Sequence, residues 1–269
     1  MPELPETETI ARDLQALMRG RVIARVDVHR PDVLRGPFKE VFGDVLAGLR
    51  LERVWRRAKT VVLSLSGNYH LLVTPRFTGS LQVNAEQDDY TTVRWWLDDG
   101  SLVYRDVRRL GTVTLADDAG LASFDRSLGI EPLSAGFTSA ALSGILRASR
   151  SAVKKVLMEQ RRVAGVGNIY ANEALWRSGV DPSRPANGLG ASECERLCAE
   201  LRAVLTESIE ARGTTFRDYR DARNERGNYA RFLRVYGRGG EACRRCGTRL
   251  VETHAIDGRS TVLCHRCQR

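Results

Sequence analysis

The apolar positions of the chain change their spacing twice. Near the start they recur at helical intervals, at Ile10, Leu14, Leu17 and Met18, and Gly20 then marks a helix end. Between about residues 22 and 116 they alternate, or cluster in short β-branched and aromatic runs: VIARVDV, LRLERVW, TVVLSLS, SLQVN, TTVRWWL and SLVYR. Many short strands separated by Gly, Asn and Asp turns predict a β-sandwich or barrel behind a leading helix.

The spacing becomes helical again between residues 138 and 211. Four segments carry it: TSAALSGILRAS, SAVKKVLMEQ, NIYANEALWRSG and SECERLCAELRAVLTESIEA. A polar, arginine-rich loop follows at about 213–232, and a small cysteine-bearing segment occupies 233–269. We therefore predict an α+β multidomain chain with domains at 1–132, 133–232 and 233–269.

The positive charge of the chain is concentrated at one end. The formal net charge is +9, and residues 212–269 hold 14 arginines, no lysine and six acids. Such asymmetry indicates a phosphate-binding region. A solvated basic tail is the alternative, but the aromatic residues, glycines and cysteines of this segment argue against it. Only four lysines occur, Lys39, Lys59, Lys154 and Lys155, so each is a candidate for a role that arginine does not fill.

Four cysteines near the end of the sequence have the spacing of a metal site. Cys243 and Cys246 form one CxxC pair, Cys264 and Cys267 form a second, and 17 residues separate the pairs. Four thiolates supply a closed tetrahedral shell, which is typical of one structural Zn²⁺ ion rather than a catalytic one. Two disulfides are the alternative, and a cytoplasmic location disfavours them.

Neither a secretion signal nor a membrane span is expected. The start, MPELPETET, is acidic where a signal peptide needs a basic region followed by an apolar run. No apolar stretch approaches the roughly 20 residues that cross a bilayer. We therefore expect a cytoplasmic protein.

Four segments, in their order along the chain, resemble the signature of the formamidopyrimidine-DNA glycosylase / endonuclease VIII family. They are MPELPETE, AGVGNIYANEALW, RVYGRGGEAC and CGT…GRSTVLCHRCQ, and the match extends over essentially the whole chain. The resemblance implies an N-terminal β-sandwich with a leading helix, a helix–two-turn–helix domain with a lesion loop, and a C-terminal zinc-finger β-hairpin. It also implies base excision repair in the bacterial cytoplasm or nucleoid. The implied partner of this monomeric enzyme is double-stranded DNA with a damaged base or an abasic site.

Pro2 would become the first residue once the initiator methionine is removed. An α-amino group titrates at about pH 8, so part of it is neutral and nucleophilic at cellular pH. In the family, this proline amine attacks C1′ of the damaged nucleotide, and the Schiff base that forms leads to β,δ-elimination. The alternative is a proline that only starts a helix, but Pro5 already suits that role.

Two further residues are candidates for the catalytic site. Glu3 lies beside the amine and is a candidate general acid–base. Its alternative role, compensation of the helix dipole, is already filled by Glu6 and Glu8. Glu6 also matches a family glutamate. Lys59, in RRAKT, matches a lysine of the family's catalytic site, and an exposed strand lysine is the alternative.

The resemblance implies a role in DNA binding for three more residues. Asn168, the last residue of VGN, lies at the start of the third helix, where free backbone amides attract phosphate, and a plain N-cap is the compatible alternative. Lys154 matches a lysine that faces the lesion, and a solvated charge is the alternative. Arg259, in GRST, matches an arginine that grips the phosphates at the lesion.

Three residues align with the positions that fill the gap left by a flipped nucleotide. They are Phe77 in TPRFTGS, with Arg108 and Leu110 in RDVRRLG. The family usually has methionine at the first position and phenylalanine at the last, so the aromatic and aliphatic roles are exchanged here. Further departures replace a histidine, a glycine and a proline of the family: Thr74, Ala58 and Val107. The loop TFRDYRDARNERGNYARFL keeps only the family's opening.

The expected activity is that of a bifunctional DNA glycosylase and AP lyase that removes oxidised purines, such as 8-oxoguanine and formamidopyrimidines. The same chemistry on oxidised pyrimidines, as in endonuclease VIII, stays open because the wedge and the loop are altered. A damaged-DNA-binding protein without chemistry is a third hypothesis. It would require the loss of Pro2 or Glu3, and both are present.

Overall fold

The computed structural model describes residues 2–269, and Met1, on whose removal the predicted amine depends, lies outside the described residues. Contacts divide the chain into two compact units. The first contains the residues up to Ser127 together with Ile209–Ala230, and the second contains Leu128–Ser208 and Arg231–Arg269. Most of the arginine-rich loop, which the sequence analysis placed with the helices, therefore belongs to the first unit.

Nine strands of the described chain form two β-sheets in the first unit. They are β1 (Ile23–Val28), β2 (Leu34–Arg35), β3 (Leu51–Arg57), β4 (Thr60–Leu65), β5 (Tyr69–Thr74), β6 (Gly79–Val83), β7 (Thr91–Leu97), β8 (Ser101–Asp106) and β9 (Thr112–Asp117). The four-stranded sheet has the order β1-β7-β8-β6, and its neighbours are antiparallel. The five-stranded sheet has the order β2-β9-β5-β4-β3, in which β2 and β9 are parallel and the other neighbours antiparallel.

One apolar core joins both sheets of this unit to the leading helix. It includes Trp95 and Tyr104 from the four-stranded sheet and Leu71 from the five-stranded sheet. The alternating runs produce this core because successive side chains of a strand point to opposite faces. The predicted sandwich is confirmed, and so are the six strand-like runs. The alternating runs did not predict β2, β5 and β9.

Three helices accompany the sheets: α1 (Leu4–Met18), α2 (Phe42–Leu46) and α3 (Asp118–Arg126). The leading helix α1 has Pro5 in its first turn, as predicted, and it buries Ile10 and Leu14 in the core. The helix runs along β3 in the opposite direction. Gln15 Oε1 accepts a hydrogen bond from the Val54 amide at 2.5 Å, and Glu8 accepts one from Arg56 Nε at 2.8 Å.

This pairing sets the direction of the beginning of α1. Residues near the start of α1 contact residues near the end of β3: Glu8 is bonded to Arg56, whereas Gln15, further along the helix, is bonded to Val54. The start of α1 is therefore directed toward the turn that joins β3 to β4, at residues 58–59.

The second unit is helical and ends in a small hairpin. Its helices are α4 (Ser139–Arg147), α5 (Val153–Met158), α6 (Asn168–Ser178) and α7 (Ala191–Glu210), which confirm the four predicted helices. The hairpin consists of β10 (Val251–Thr253) and β11 (Thr261–Leu263), which are antiparallel. Asn172 of α6 holds the hairpin, because its Oδ1 accepts a hydrogen bond from the Val262 amide at 2.8 Å.

Short 3-10 segments connect these elements at Pro31–Val33, Lys39–Val41, Ser66–Asn68, Ala186–Gly188 and Tyr229–Phe232. None of the helices between residues 2 and 269 combines the length and the apolar character that a membrane span requires.

Candidate active site and metal centre

The start of α1 is buried and bonded to its own first turn. Pro2 is buried, and Glu3, the residue that precedes the first helical turn, has no exposed surface. Glu6 Oε2 accepts a hydrogen bond from the Glu3 amide at 2.8 Å, so the carboxylate of the first turn closes back on the residue before the helix. This contact fixes the backbone beside Pro2, where a nucleophilic amine would have to be held.

Lys59 lies in the two-residue turn between β3 and β4 rather than at the start of a strand. It is half-buried, so the alternative of an exposed strand lysine is wrong. The preceding residue, Ala58, is 3% exposed and has a φ of 53°, in the left-handed region that residues with a Cβ rarely adopt. The turn that presents Lys59 is the one toward which the start of α1 is directed.

The predicted wedge residues lie in two turns of the first unit. Phe77 lies between β5 and β6, and Leu110 lies between β8 and β9. These large apolar residues are 43% and 41% exposed. The guanidinium of Arg108 stacks on the Phe77 ring, 5.0 Å from its centroid. The structure therefore brings Phe77 and Arg108 together and leaves apolar surface available for a partner.

The segment after α7 is anchored to α1. Arg212 donates a hydrogen bond to Asp13 of α1 at 2.5 Å and a second to Asp221 of the arginine-rich loop. Both carboxylates are buried, so the guanidinium compensates charges that would otherwise be costly to bury. Glu6 Oε1 also accepts a hydrogen bond from the Thr214 amide at 2.7 Å. The loop is thus held against the helix that begins beside Pro2.

In the second unit, Asn168 is the first residue of α6, and Gly167 occupies the N-cap position. The plain N-cap interpretation of Asn168 is therefore wrong. Its Nδ2 instead donates a hydrogen bond to the Ser260 carbonyl at 2.9 Å, in the turn between β10 and β11. Arg259, the preceding residue of that turn, is exposed. A helix N-terminus beside an exposed arginine suits a phosphate group.

Lys154 is fully buried, so the alternative of a solvated charge is wrong. Its Nζ donates hydrogen bonds to Thr261 Oγ1 at 2.7 Å and to the Ser260 carbonyl at 3.3 Å, and it pairs with Asp257 at 3.3 Å. Asp257 and Ser260 belong to the turn that carries Arg259, and Thr261 begins β11 directly after it. As placed, the ammonium supports this turn, and a contact with DNA would require the turn to move.

The four predicted metal ligands converge. The Sγ atoms of Cys243, Cys246, Cys264 and Cys267 all lie within 4.8 Å of one another. Tetrahedral zinc with Zn–S bonds of about 2.3 Å places its sulfurs about 3.8 Å apart, so the cluster fits one structural Zn²⁺ ion. Four thiolates at these separations repel one another, and a cation bound among them compensates their charges. All six cysteines are free, which excludes the two disulfides.

Two buried carboxylates escaped the sequence analysis. Glu173 of α6 has no exposed surface and accepts hydrogen bonds from three successive backbone amides at 2.9–3.1 Å: Arg234, Val235 and Tyr236. Asp106 ends β8 and is 1% exposed. An acidic residue within an apolar run is the signal that the sequence offers for Glu173, but it does not reveal the distant partner. Asp106 follows Arg105 and precedes Val107 and Arg108, so the sequence offers no such signal there.

Three family profiles match the chain, in sequence order. Residues 1–113 match the formamidopyrimidine-DNA glycosylase N-terminal domain, and residues 128–220 match the formamidopyrimidine-DNA glycosylase H2TH domain. Residues 240–269 match a zinc finger found in FPG and IleRS. The matches follow the order of the β-sheets, the helices and the cysteine-bearing hairpin.

Curated proteins match over complete chains. A formamidopyrimidine-DNA glycosylase from Desulfitobacterium hafniense (strain DSM 10664 / DCB-2) is 40% identical over 274 residues and covers 100% of both chains. Another from Moorella thermoacetica is 44% identical over 253 residues, which are 92% of each chain.

Solved structures match as completely. The MutM (Fpg) protein from Thermus thermophilus is 34% identical, with a TM-score of 0.90 over 99% of this chain and 98% of that one. A Lactococcus lactis Fpg mutant in complex with Fapy-dG-containing DNA is 30% identical, with a TM-score of 0.93 over 100% of both chains. Lactococcus lactis Fpg with abasic-site DNA is 30% identical, with a TM-score of 0.93 over 99% of both.

Proposed function

The chain belongs to the formamidopyrimidine-DNA glycosylase family, and from that premise we propose that it is a bifunctional DNA glycosylase and AP lyase of base excision repair. Its substrate is double-stranded DNA that contains an oxidised purine, such as 8-oxoguanine or a formamidopyrimidine, or an abasic site. It acts as a monomer in the bacterial cytoplasm or nucleoid. The names of the relatives, and the Fapy-dG and abasic DNA of two similar solved structures, support this assignment.

The observation that carries the proposal concerns the catalytic candidates at the start of α1. Pro2 and Glu3 are both buried there, and the same end of the helix is directed toward the turn that presents Lys59. Schiff-base chemistry uses an amine as nucleophile and a carboxyl group for proton transfer, and a lysine can contact the sugar or a phosphate.

The reaction follows from these groups. The neutral amine of Pro2 forms a bond to C1′ while the bond from C1′ to the damaged base breaks, and the base leaves with a proton. Glu3 transfers the protons that open the sugar ring and give a positively charged iminium. The iminium acidifies the proton on C2′. Loss of this proton expels the 3′ phosphate, and loss of the C4′ proton in a second elimination expels the 5′ phosphate. Water then hydrolyses the bond between Pro2 and C1′, which releases the sugar fragment and restores the amine. Lys59 contacts the sugar or a phosphate.

Extrusion of the damaged nucleotide leaves a gap in the duplex, and unstacking costs a few kcal/mol. We assign the filling of that gap to Phe77, Arg108 and Leu110. Their exposed apolar surface, and the cation stacked on the Phe77 ring, support this role.

The second unit contributes phosphate contacts. Asn168 and Arg259 lie at a helix start and in the adjoining hairpin turn, and they are assigned to the phosphates near the lesion. Lys154 is assigned to the same region through its bonds to this turn. The structural zinc supplies no chemistry to the reaction; it holds the hairpin that carries Arg259.

The proposal is tested with duplexes that contain one 8-oxoguanine, one formamidopyrimidine, one oxidised pyrimidine or undamaged guanine. Single-turnover rates of base release and strand cleavage would be measured for each. We expect the two purine lesions to be released fastest, with strand cleavage following base release. Faster release of the pyrimidine would instead support the endonuclease VIII-like alternative, and binding without release would support a damage-binding protein.

A further inference from the structure

The carboxylate of Asp106 lies between the two turns that carry the wedge residues. Its Oδ1 accepts hydrogen bonds from the Thr78 hydroxyl at 2.5 Å and from the Arg108 amide at 3.3 Å. The Thr78 hydroxyl in turn accepts a hydrogen bond from the Arg108 amide at 3.0 Å. Because Thr78 directly follows Phe77, this carboxylate oxygen links the Phe77 turn to the backbone of Arg108.

The other carboxylate oxygen of Asp106 is bonded to the end of the turn between β8 and β9. Oδ2 accepts hydrogen bonds from the Gly111 amide at 2.8 Å and from the Tyr104 hydroxyl at 3.2 Å. Burial, and then the charge of Asp106, raise the pKa of the Tyr104 hydroxyl, which therefore stays a proton donor. Leu110 thus lies between two backbone amides that are bonded to a single carboxylate.

Two glycines let the turns close on this pair. A Cβ placed on Gly111 would lie 1.9 Å from the Tyr104 hydroxyl oxygen, and one placed on Gly79 would lie 2.6 Å from the same atom. Neither position has room for a side chain. The backbones of both turns therefore pack directly on the Asp106–Tyr104 pair.

Both turns also contain a residue in a strained conformation. Arg76, just before Phe77, has a φ of 53°, and Arg109, between Arg108 and Leu110, has a φ of 51°. Non-glycine residues keep such values only where surrounding contacts fix them. The bonds to Asp106 are contacts of that kind.

We propose that Asp106 is a positioning residue for nucleotide flipping, which holds the Phe77 and Arg108–Leu110 turns in one fixed relative arrangement. The inference rests on the proposed function, because it assigns to the two turns the filling of the gap. Asp106 is buried beneath the turns and acts through them rather than on the substrate. Four donors converge on its two oxygens, so Asp106→Asn would point an amide donor at another donor and release at least one turn.

The proposal predicts different effects on two substrates. An intact lesion must be unstacked and its place filled, so release of 8-oxoguanine depends on the wedge arrangement. A preformed abasic site has no base to unstack, so strand cleavage there depends on it far less. A merely structural role of Asp106 would affect both substrates alike.

The experiment compares the full-length wild type with Asp106→Asn and with the matched control Asp98→Asn, whose carboxylate lies in the exposed turn between β7 and β8. Single-turnover rates would be measured on an 8-oxoguanine duplex and on an abasic duplex, together with the fluorescence of 2-aminopurine next to the lesion. Circular dichroism and thermal melts would report the folded fraction at the assay temperature.

We expect Asp106→Asn to slow 8-oxoguanine release by about 10- to 100-fold, as misplacement by about 1 Å does elsewhere. In Asp106→Asn, cleavage at the abasic site should change by less than about 3-fold on the same basis, and the 2-aminopurine signal of flipping should fall. The control Asp98→Asn should behave as wild type in all three measurements. Equal losses on both substrates, or no loss on either, would overturn the inference.

A second variant keeps the test decisive if Asp106→Asn folds poorly. Thr78→Val removes one donor to Asp106 without placing a new polar group in the site. It should reduce the ratio of lesion release to abasic cleavage in the same direction, and an unchanged ratio would count against the inference. If the wild type itself cleaves neither duplex, the proposed function fails, and that result is distinct from a failure of Asp106.

Discussion

Glu6 is bonded at once to the residue before α1 and to the arginine-rich loop. Its Oε2 accepts a hydrogen bond from the Glu3 amide at 2.8 Å, and its Oε1 accepts one from the Thr214 amide at 2.7 Å. The side chain has no exposed surface, so these bonds form away from water. The position of the loop therefore depends on the same carboxylate that fixes the backbone beside Pro2.

Glu6→Gln should loosen the loop. The amide nitrogen of glutamine would face one of the two backbone donors, and that bond would be lost. The loop contains five trypsin sites, at Arg217, Arg220, Arg223, Arg226 and Arg231. We expect faster cleavage there under limited trypsin digestion, measured by mass spectrometry. Glu40→Gln, at a side chain that is 82% exposed, is the control, and equal cleavage of both variants would contradict the anchoring role.

Two substitutions of Ala58, by glycine and by valine, should have different effects on the stability of the protein. The Ala58 φ of 53° suits glycine better than a residue with a Cβ. Ala58→Gly should be neutral or stabilise the protein by up to about 1 kcal/mol, because relief of strain is partly offset by the greater entropy of the unfolded chain. Ala58→Val should destabilise it by about 1–3 kcal/mol. Urea unfolding measures both values, and a valine variant as stable as the glycine variant would refute the strain argument.

Removal of zinc should unfold the hairpin and be visible at one tryptophan. Trp176 packs against Cys243 and Cys264, and the Arg245 guanidinium stacks on its ring at 4.3 Å. A strong chelator under reducing conditions should therefore change the tryptophan fluorescence and weaken DNA binding. In Trp176→Phe the fluorescence change should be largely absent while the loss of binding remains. DNA binding that survives complete loss of metal would contradict the structural role of the zinc.

Lys154 should stabilise the protein through its ion pair with Asp257. Lys154→Met would leave the Asp257 carboxylate, whose side chain is only 11% exposed, without its cation and should cost about 3–5 kcal/mol of stability. The hairpin turn that carries Arg259 should loosen, and the salt dependence of DNA binding should weaken as a phosphate contact is lost. The double variant Lys154→Met/Asp257→Asn should recover part of the stability. If the double variant were no more stable than the single one, the ion pair with Asp257 would not explain why the Lys154 side chain is buried.

Local patterns predicted much of this fold. The apolar repeat of α1, the alternation in β7 and the CxxC spacing each reflect contacts between residues near in sequence, and the structure confirms them. Strand β5 was missed because YHLLVT lies inside the five-stranded sheet, where both of its faces are covered, and its continuous apolar run is only residues 71–73. A continuous apolar run of this length does not distinguish a strand from a buried helix.

Contacts between residues that are distant in the sequence could not be predicted from it. The bond of Glu6 to Thr214 and the bonds of Lys154 to the hairpin join residues more than 100 positions apart. No periodicity carries that information, because it depends on how complete elements pack. The same limit explains why a solvated charge stayed open for Lys154 and why Asp106 gave no signal.

The account depends most on the amine of Pro2 as nucleophile. Reduction with borohydride in the presence of a duplex that contains one abasic site traps a Schiff base as a covalent protein–DNA adduct. The account predicts an adduct with methionine-free protein, none with a form extended at its N-terminus, and peptide mapping that places the DNA on Pro2. An adduct that persists in the extended form, or that maps to Lys59, would contradict it.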